Sequence, residues 1–582
     1  MHAGWEMLYR YTADLLCLDF CRPRISLALT ELNQVTSSLN IPAWEEALRG
    51  HPDMAFAIYI CNGLKHGFRI GFRRDYPLKS ASSNMGSATL HSDVITKYLS
   101  DELARGRMLG PFPLSFKSAI HINRFGVIPK GHNTGKWRLI TDLSFPNGQS
   151  VNDGIDAALC SLSYITVDKV AGTAATMGHG TLLAKIDIES AYRLVPVHPQ
   201  DRPLQAMEWG GNIYVDPMLP FGLRSAPKIF NAIADALEWY LRQAGIDEIE
   251  HYLDDFIVLG PPGSPICLRA MEILDMVCRQ LNVPIAEHKR DGPTTCLVFL
   301  GIIIDTILGE LRLPPEKLQR LLSLLQAWGD KKTCSRRELE SLIGLLNHAC
   351  KVIRSSRSFL RRMIDLLHGT NRSSRCTPIR LNTGFRADLA WWREFVSAWN
   401  GTSYLSPPQY LPTLEMTSDA SGSWGCGAWH GSAWFQIQWD IRSQDLDIAC
   451  KEMIPIVMAC ATWGSRWRGH QVICHCDNQV VVACLRSRSS RHSGIMHLIR
   501  TLVFLEAHFG CHLRPEYIST SHNHLADDLS RDKLSSFLSK VPSASILPSP
   551  LSEPLLDLLL NQQADWISPT SRRLFRDIFR RV

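Results

Sequence analysis

The sequence predicts a multidomain α+β chain, and three changes of texture carry that prediction. Over residues 101–313, short strand-like runs (182–188, 252–259 and 296–304) alternate with helical ones (229–243 and 267–281). At Pro314-Pro315 the pattern turns helical: Leu318, Leu321, Leu322, Leu325 and Trp328 recur at helical spacing, and Leu339, Leu342, Ile343 and Leu346 repeat it. Past a break rich in proline (Pro407, Pro408, Pro412), strands and helices return from Leu414 to about Arg531. At ~150 residues per domain, 582 residues suggest three or four domains.

Composition excludes several classes. With 45% hydrophobic and 20% charged residues, the chain is neither wholly disordered nor collagen-like. No run of 18 apolar residues marks a membrane span, and residues 1–16 lack the basic flank, apolar core and small-residue site of a secretory signal. The cysteines are scattered from Cys17 to Cys511 without a CxxC pair or a Cys/His knuckle. Cys474, His475 and Cys476 lie in an apolar run expected to be a buried strand, so these thiols read as core residues of a reducing compartment. A net charge of +6 permits a polyanionic partner without demanding one.

Taken in order, residues 1–100 form an N-terminal extension, partly helical, and 79–87 (KSASSNMGS) reads as a small polar linker. The α/β core occupies 101–313, a helical region 314–405, a second strand–helix domain 414–535, and a Ser/Pro/Leu-rich tail 536–582, ending in a basic amphipathic stretch from Ser571. There is no internal repeat.

The first chemical constellation is three aspartates. Asp187 ends a strand-like run, and Asp254-Asp255 sits within the apolar run His251-Tyr-Leu-Asp-Asp-Phe-Ile-Val-Leu259. Unpaired burial of an ionised carboxylate costs several kcal/mol, so two adjacent ones call for a cation. A hairpin turn at Leu253-Asp254 would bring both beside Asp187, and three converging carboxylates would hold two divalent ions ~4 Å apart, as in-line phosphoryl transfer needs. A bare Tyr-x-Asp-Asp is equally a solvated turn; its neighbours decide.

Lys136-Trp-Arg-Leu-Ile-Thr-Asp142, Asp187-Ile-Glu-Ser-Ala-Tyr-Arg193, Leu219-Pro-Phe-Gly-Leu-Arg-Ser-Ala-Pro227, Tyr252-Leu-Asp-Asp255 and Phe299-Leu-Gly301 occur in that order, and their spacing resembles the fingers and palm of reverse transcriptases over about 101–313. The resemblance implies a right-hand polymerase of fingers, palm and helical thumb, with Asp187, Asp254 and Asp255 binding catalytic Mg²⁺. It implies that Arg138, with Lys130 or Lys136, holds the triphosphate of a dNTP; a guanidinium suits phosphate geometry. Tyr192 falls where the family places its sugar gate, whose ring excludes a ribose 2′-OH. Phe221 and Gly222 would line the nucleotide pocket, and Lys289 would protonate the leaving pyrophosphate. The region 314–405 would be the thumb and connection.

The second constellation is four acids. Thr417-Ser-Asp-Ala-Ser-Gly-Ser-Trp-Gly-Cys-Gly427 reads as a strand, a Gly-rich turn and a second strand; Glu452 opens an apolar helix, Asp477 ends a strand, and Asp527 lies in Asn523-His-Leu-Ala-Asp-Asp-Leu-Ser-Arg531. Singly, each is commonplace as a cap or surface acid. Together, Asp419, Glu452, Asp477 and Asp527 resemble the ribonuclease H cluster, implying an RNase H-like α/β domain that binds two Mg²⁺ (Mn²⁺ would also serve) and cleaves the RNA of an RNA–DNA hybrid. Asp527 is preferred to its neighbour Asp528 by motif position, Asp528 reading as a helix-start acid. Where many relatives have a loop histidine this chain has Tyr517, and His522 or His524 would take its place.

The wording of several segments further resembles DIRS-type retrotransposons, which carry a tyrosine recombinase, with gypsy-type LTR elements and pararetroviruses as near alternatives. No Asp-Ser/Thr-Gly protease motif or zinc knuckle is present, and about fifty residues follow the nuclease region, so a recombinase or Gag partner would be encoded elsewhere. The expected activity is RNA-directed DNA polymerase with ribonuclease H, acting on an RNA template, a DNA primer, dNTPs and the resulting hybrid, inside the cell in cytoplasm or nucleus; the alternative is a catalytically inactive, domesticated nucleic-acid binder. Three basic runs fit such partners: 351–393 (ten Lys/Arg against Asp365 and Asp388), 478–500 (four Arg, no acid) and 571–582 (five Arg against Asp577).

Overall fold

The computed structural model describes residues 30–129, 137–353, 356–370, 378–398, 402–404, 412–488, 490 and 492–560. They fall into two compact units: 1–166 with 180–297, and 167–179 with 298–582.

The first unit is built on a four-stranded antiparallel sheet in the spatial order Ile249–Tyr252, Asp255–Gly260, Leu182–Asp187, Asp291–Thr294. The run 252–259 thus splits into two strands, because the chain reverses at Leu253-Asp254. Ala184, Ile186, Phe256 and Val258 pack against the helices Ala226–Gln243 and Ile266–Leu281, whose apolar residues recur every three or four positions (Leu237, Leu241; Leu274, Val277, Leu281). From residue 30 on, the N-terminal region is no separate extension: Trp44, Ile60 and Phe68, from the helices Ile41–Ala47 and Met54–His66 and the segment after them, enter this same core, and Trp44 Nε1 donates to the Leu281 carbonyl at 3.3 Å.

A hairpin of Arg124–Pro129 and Trp137–Asp142 packs on the helix Ser92–Ala104 through Ile95, Leu99, Phe125 and Val127. The segment 79–87 is not a loose linker. Its small polar groups serve the neighbouring backbone: Ser80 Oγ accepts from the Ile122 N–H at 3.0 Å, Asn84 Oδ1 from Phe125 at 3.2 Å and Ser87 Oγ from Val127 at 3.1 Å. The composition that suggests a flexible linker is also what completes a sheet edge.

In the second unit, Glu310–Arg312 pairs with both Ile302–Asp305 and Thr402–Tyr404. Between them lie the helices Pro315–Trp328, Arg336–Ala349, Arg361–His368 and Thr383–Ala398; Ser335 and Glu338 close a capping box on the second. Five strands follow in the spatial order Ala433–Gln438, Gly425–His430, Thr413–Ala420, Gln471–Cys476, His512–Tyr517. Each of the first three runs antiparallel to its neighbour among them, while Gln471–Cys476 runs parallel to both of its neighbours. The helices Ile448–Trp463 and Ser493–Phe509 are buried along most of their length.

Composition sets 536–582 apart as a tail, yet its described part packs on this sheet. Phe537 is buried against Trp429 and Trp434, Trp434 Nε1 donates to the Ser545 carbonyl at 2.8 Å, and Leu555 and Leu559 are buried on the helix Glu553–Leu560. The basic end from Ser571 lies outside the described residues.

The run 478–500 is also less of a nucleic-acid grip than its charge suggests. Arg488 Nη2 pairs with the buried Glu506 at 2.7 Å, and Arg500, 4% exposed, lies 3.8 Å from the buried Asp388. These two guanidiniums offset internal acids. Lys351, Arg357, Arg361 and Arg380 of the other run remain exposed.

Candidate active sites

The first site grows from strand register. Asp187, last residue of its strand, lies directly opposite Asp255, first residue of the next, and Tyr252 pairs with Asp255 across the two-residue turn Leu253-Asp254. Leu253 has φ +54°, a left-handed conformation costing ~1–2 kcal/mol for a residue with a Cβ. The Asp254 carbonyl accepts from the Ile188 N–H at 3.0 Å, which pins the hairpin tip beside the end of the first strand.

Three carboxylates are therefore held together, and like charges facing each other across a ladder are unfavourable. Burial, then Asp254 and Asp187, push the Asp255 carboxyl up to about 6; burial and Asp187 raise Asp254 as well. Lys289 answers part of this charge: its Nζ donates to both oxygens of Asp187 at 2.7 Å. It comes from the short turn Glu287–Lys289, which is tied to the same strand by the Ala286 N–H donating to the Asp187 carbonyl at 2.8 Å. Lys289, together with the electrostatic pull of Lys185 on Asp255, still leaves the three carboxylates an anionic oxygen cluster that suits a hard divalent cation.

Beside it is an aromatic wall. Tyr192, in the turn Ala191–Leu194, has its ring 5.3 Å from Phe221 and 5.7 Å from Phe230. Burial, with the nearby Tyr164, Asp254 and Tyr252, pushes its hydroxyl up to about 12. Phe221 is half-exposed, and the exposed Arg138 holds its guanidinium 5.5 Å from that ring. Gly222 has φ +96°, and a Cβ there would come within 2.9 Å of the Thr141 carbonyl oxygen. The structure thus brings Asp187, Asp254, Asp255, Lys289, Tyr192, Phe221, Gly222 and Arg138 into one unit; Lys130 and Lys136 lie outside the described residues.

Sequence reasoning passed over the support behind this wall. Arg193, next to Tyr192, is 6% exposed and donates through Nη1 to both oxygens of Asp216 (2.8 and 2.6 Å) and through Nε and Nη2 to Glu102 (3.2 and 3.1 Å). The Asp216 end is itself fixed, since its Oδ1 accepts from the Met218 N–H at 3.0 Å.

The comparisons with known proteins bear on this unit. Residues 128–304 match the family "Reverse transcriptase (RNA-dependent DNA polymerase)". This stretch is a reverse transcriptase domain. Among curated proteins the chain is 22% identical over 331 residues to the "Retrovirus-related Pol polyprotein from transposon opus" of Drosophila melanogaster, covering 56% of this chain and 30% of that protein. It is 25% identical over 260 residues to the corresponding polyprotein from transposon gypsy of the same fly, covering 44% and 24%. The chain thus spans less than a third of the length of these two relatives. Among solved structures, a foamy viral protease-reverse transcriptase in complex with double-stranded DNA aligns over 88% of this chain and 85% of that one, at 15% identity and a TM-score of 0.48. All five motif segments quoted above reach into or lie within 128–304, so the reverse transcriptase domain contains Asp187, Asp254, Asp255 and Lys289.

The second site lies in the other unit, on the five-stranded sheet. Asp419, on the central strand, is 4% exposed; Ser530 Oγ donates to its Oδ2 at 2.5 Å and Asn523 Nδ2 to its Oδ1 at 3.2 Å. Burial drives its carboxyl up to about 6 despite the Ser530 bond, with Asp477 and Asp527 adding to the rise. Glu452, one turn into the helix Ile448–Trp463, is pushed up to about 9 by burial and by Asp419 and Asp477, and its Oε2 has no hydrogen-bond partner among the described residues. Asp477, just past the strand Gln471–Cys476, accepts from Thr520 Oγ1 at 2.8 Å. Asp527 accepts from Arg531 Nε at 2.5 Å.

Its neighbour Asp528 is not a helix-start acid: it sits late in the helix His524–Ser530 and accepts from Lys540 at 2.6 Å and Ser536 at 2.8 Å, stapling that helix to the next. His522 and His524 are exposed, and His522 Nδ1 lies 2.6 Å from Ser519 Oγ. Asn523 and Ser530 stand within the Asn523–Arg531 motif, whose spacing carries no sign of their roles; Thr520 has no sequence signal.

Proposed function

We propose that this chain is an RNA-directed DNA polymerase with an associated ribonuclease H activity, the reading that best accounts for two separate carboxylate clusters. The observation that carries the first activity is the register pairing of Asp187 with Asp255, with Asp254 on the turn between strands, inside a reverse transcriptase domain. For the second, support comes from the strand order, three antiparallel strands extended by two parallel ones, with Asp419, Glu452, Asp477 and Asp527 gathered on it. The donor sets fit Mg²⁺ or Mn²⁺: oxygen ligands, unbalanced negative charge, and at Glu452 a buried oxygen without a partner.

In the polymerase site Asp187, Asp254 and Asp255 would hold two ions, which when bound supply charge stabilisation for displacement at a phosphoryl group. Arg138 presents a planar fork of donors to the dNTP triphosphate. The Tyr192 ring would stand against a ribose 2′-OH, with Phe221 and Gly222 as the adjoining wall. Lys289, whose Nζ lies on Asp187, would protonate the leaving pyrophosphate. In the nuclease site Asp419, Glu452, Asp477 and Asp527 would hold a second pair, while Ser530, Asn523 and Thr520 fix the carboxylates that they touch. His522 or His524 would move the proton on product release. The chain would use an RNA template and a DNA primer, and copying creates the hybrid that the nuclease removes.

The wording of the 187–199 and 223–230 segments supports a DIRS-type element, acting in cytoplasm or nucleus with a recombinase or Gag protein encoded elsewhere. Genomic DNA 3′ of the Val582 codon tests that assignment; an LTR preceded by a zinc-binding integrase frame would sink it.

Primer extension on an RNA template with dNTPs and Mg²⁺, paired with cleavage of a labelled hybrid, tests the activities. Asp254→Asn should abolish extension and spare cleavage, and Asp477→Asn should do the reverse. A wild-type chain inert in both assays across metals and templates would replace this reading with that of an inactive nucleic-acid binder.

A further inference from the structure

Cys476 ends the strand Gln471–Cys476, and Asp477 follows it. Within a strand, successive side chains point to opposite faces. Because the strand stops at Cys476, that alternation lapses, and the Cys476 Sγ, a carboxylate oxygen of Asp477 and one of Glu452 all lie within 4.8 Å of one another. The thiol is buried; its sulfur accepts from the Asn478 N–H at 3.5 Å, as a thiol or a thiolate can. A second observation is independent of the cysteine: Glu452, only 5% exposed, has an oxygen in this cluster's neighbourhood, Oε2, with no hydrogen-bond partner among the described residues. A buried acceptor left open in this way leaves a polar group unsatisfied that a cation would satisfy.

We propose that Cys476, Glu452 and Asp477 form a site for a thiophilic divalent cation such as Zn²⁺ or Cd²⁺, which binds in competition with Mg²⁺ and blocks the nuclease. This rests on the ribonuclease H reading for its effect on cleavage, though not for the binding itself. Mg²⁺ takes oxygen ligands and gains little from a sulfur neighbour, whereas Zn²⁺ and Cd²⁺ accept mixed sulfur and oxygen sets. One metal–sulfur bond forms as the S–H proton is released to solvent, the Glu452 carboxyl gives up its proton likewise, and the two carboxylates complete a three-ligand set. A nuclease centre of carboxylates alone would have no such preference, so Cys476 makes this centre selective among metals as well as dependent on one.

The test uses the full chain. One equivalent of Cd²⁺ is added to the wild type, and the metal's neighbours are read by X-ray absorption; a single sulfur among oxygens is expected, and an all-oxygen shell or several sulfurs overturns the proposal. Cys476→Ala and Cys476→Ser should lose the sulfur-to-cadmium charge-transfer absorption seen at that first equivalent, and retention of it in both also overturns the site. Hybrid cleavage in millimolar Mg²⁺ is then titrated with Cd²⁺, each variant normalised to its own rate without Cd²⁺. Half-inhibition should need at least about tenfold more Cd²⁺ in the variants; equal half-inhibition sinks the inhibitory role. A chain that binds Cd²⁺ through Cys476 but cleaves no hybrid would refute the ribonuclease H reading and leave the metal site standing.

Discussion

Lys289 Nζ donates to both carboxylate oxygens of Asp187 at 2.7 Å, so at the proposed polymerase site this ammonium is bound to the acid that faces Asp255 across the sheet. That contact places a proton donor within the carboxylate cluster and offsets its charge. Lys289→Met should lower the rate of extension by about 10²-fold, the usual scale for loss of a positioned general acid. Lys289→Arg should recover part of the lost rate if charge is what matters. Single-nucleotide incorporation kinetics check this; an unchanged rate in the methionine variant would reject the role.

Arg193 is the buried hub between Asp216 and Glu102. Removing one partner of a buried ion cluster leaves uncompensated charge, typically a loss of about 3–5 kcal/mol. Arg193→Met should therefore lower the denaturant midpoint of the first unit markedly, and because Tyr192 is its neighbour, the surviving enzyme should incorporate ribonucleotides more readily. Chemical denaturation and dNTP-against-rNTP incorporation are the measurements.

Ser530 supplies the short bond to Asp419. Ser530→Ala removes a donor from a buried carboxylate, at a cost of about 1–3 kcal/mol, and raises the Asp419 carboxyl further above its place at about 6. Cleavage at pH 7 should then need more Mg²⁺, with extension untouched. Mg²⁺ titrations of both activities on the same preparation distinguish this from general damage.

Glu452 sets a pH dependence of stability in metal-free protein. Its folded-state carboxyl stands at about 9 against an ordinary 4.5, so the native state holds the proton more tightly than the unfolded state. Its contribution is fully present below about pH 4.5 and is lost as pH rises toward 9, at a slope of at most about 1.4 kcal/mol per pH unit. Glu452→Gln should flatten that decline, and Mg²⁺ should reverse it in the wild type. Thermal melts with and without EDTA between pH 5 and 9 show whether it does.

Much of this was legible in the chain itself. The alternation of strand and helix runs, the turn at Leu253-Asp254 and the spacing of the seven acids are local properties, and local properties are written in sequence. What misled was composition read as architecture: 79–87 looks like a linker and 536–560 like a tail, but the side-chain oxygens of Ser80, Asn84 and Ser87, accepting from backbone N–H groups, and burial of Phe537 and Leu555 tie them into their units. The arginines of 478–500 looked like one basic face, yet Arg488 and Arg500 turn inward to Glu506 and Asp388, more than ten residues away in each case.

By itself, then, the sequence determined which residues are the candidates for the proposed chemistry: Asp187, Asp254 and Asp255 in one unit, Asp419, Glu452, Asp477 and Asp527 in the other. Only the tertiary structure decided what holds and tunes them. Lys289 on Asp187, Arg193 between Asp216 and Glu102, Ser530 on Asp419 and Cys476 beside Glu452 are contacts between segments distant in the chain or at the point where a strand ends. The physical reason is that spacing along the chain encodes periodicity and turns, whereas burial, and with it every carboxyl pushed above its ordinary range, exists only once distant segments have excluded water from between them.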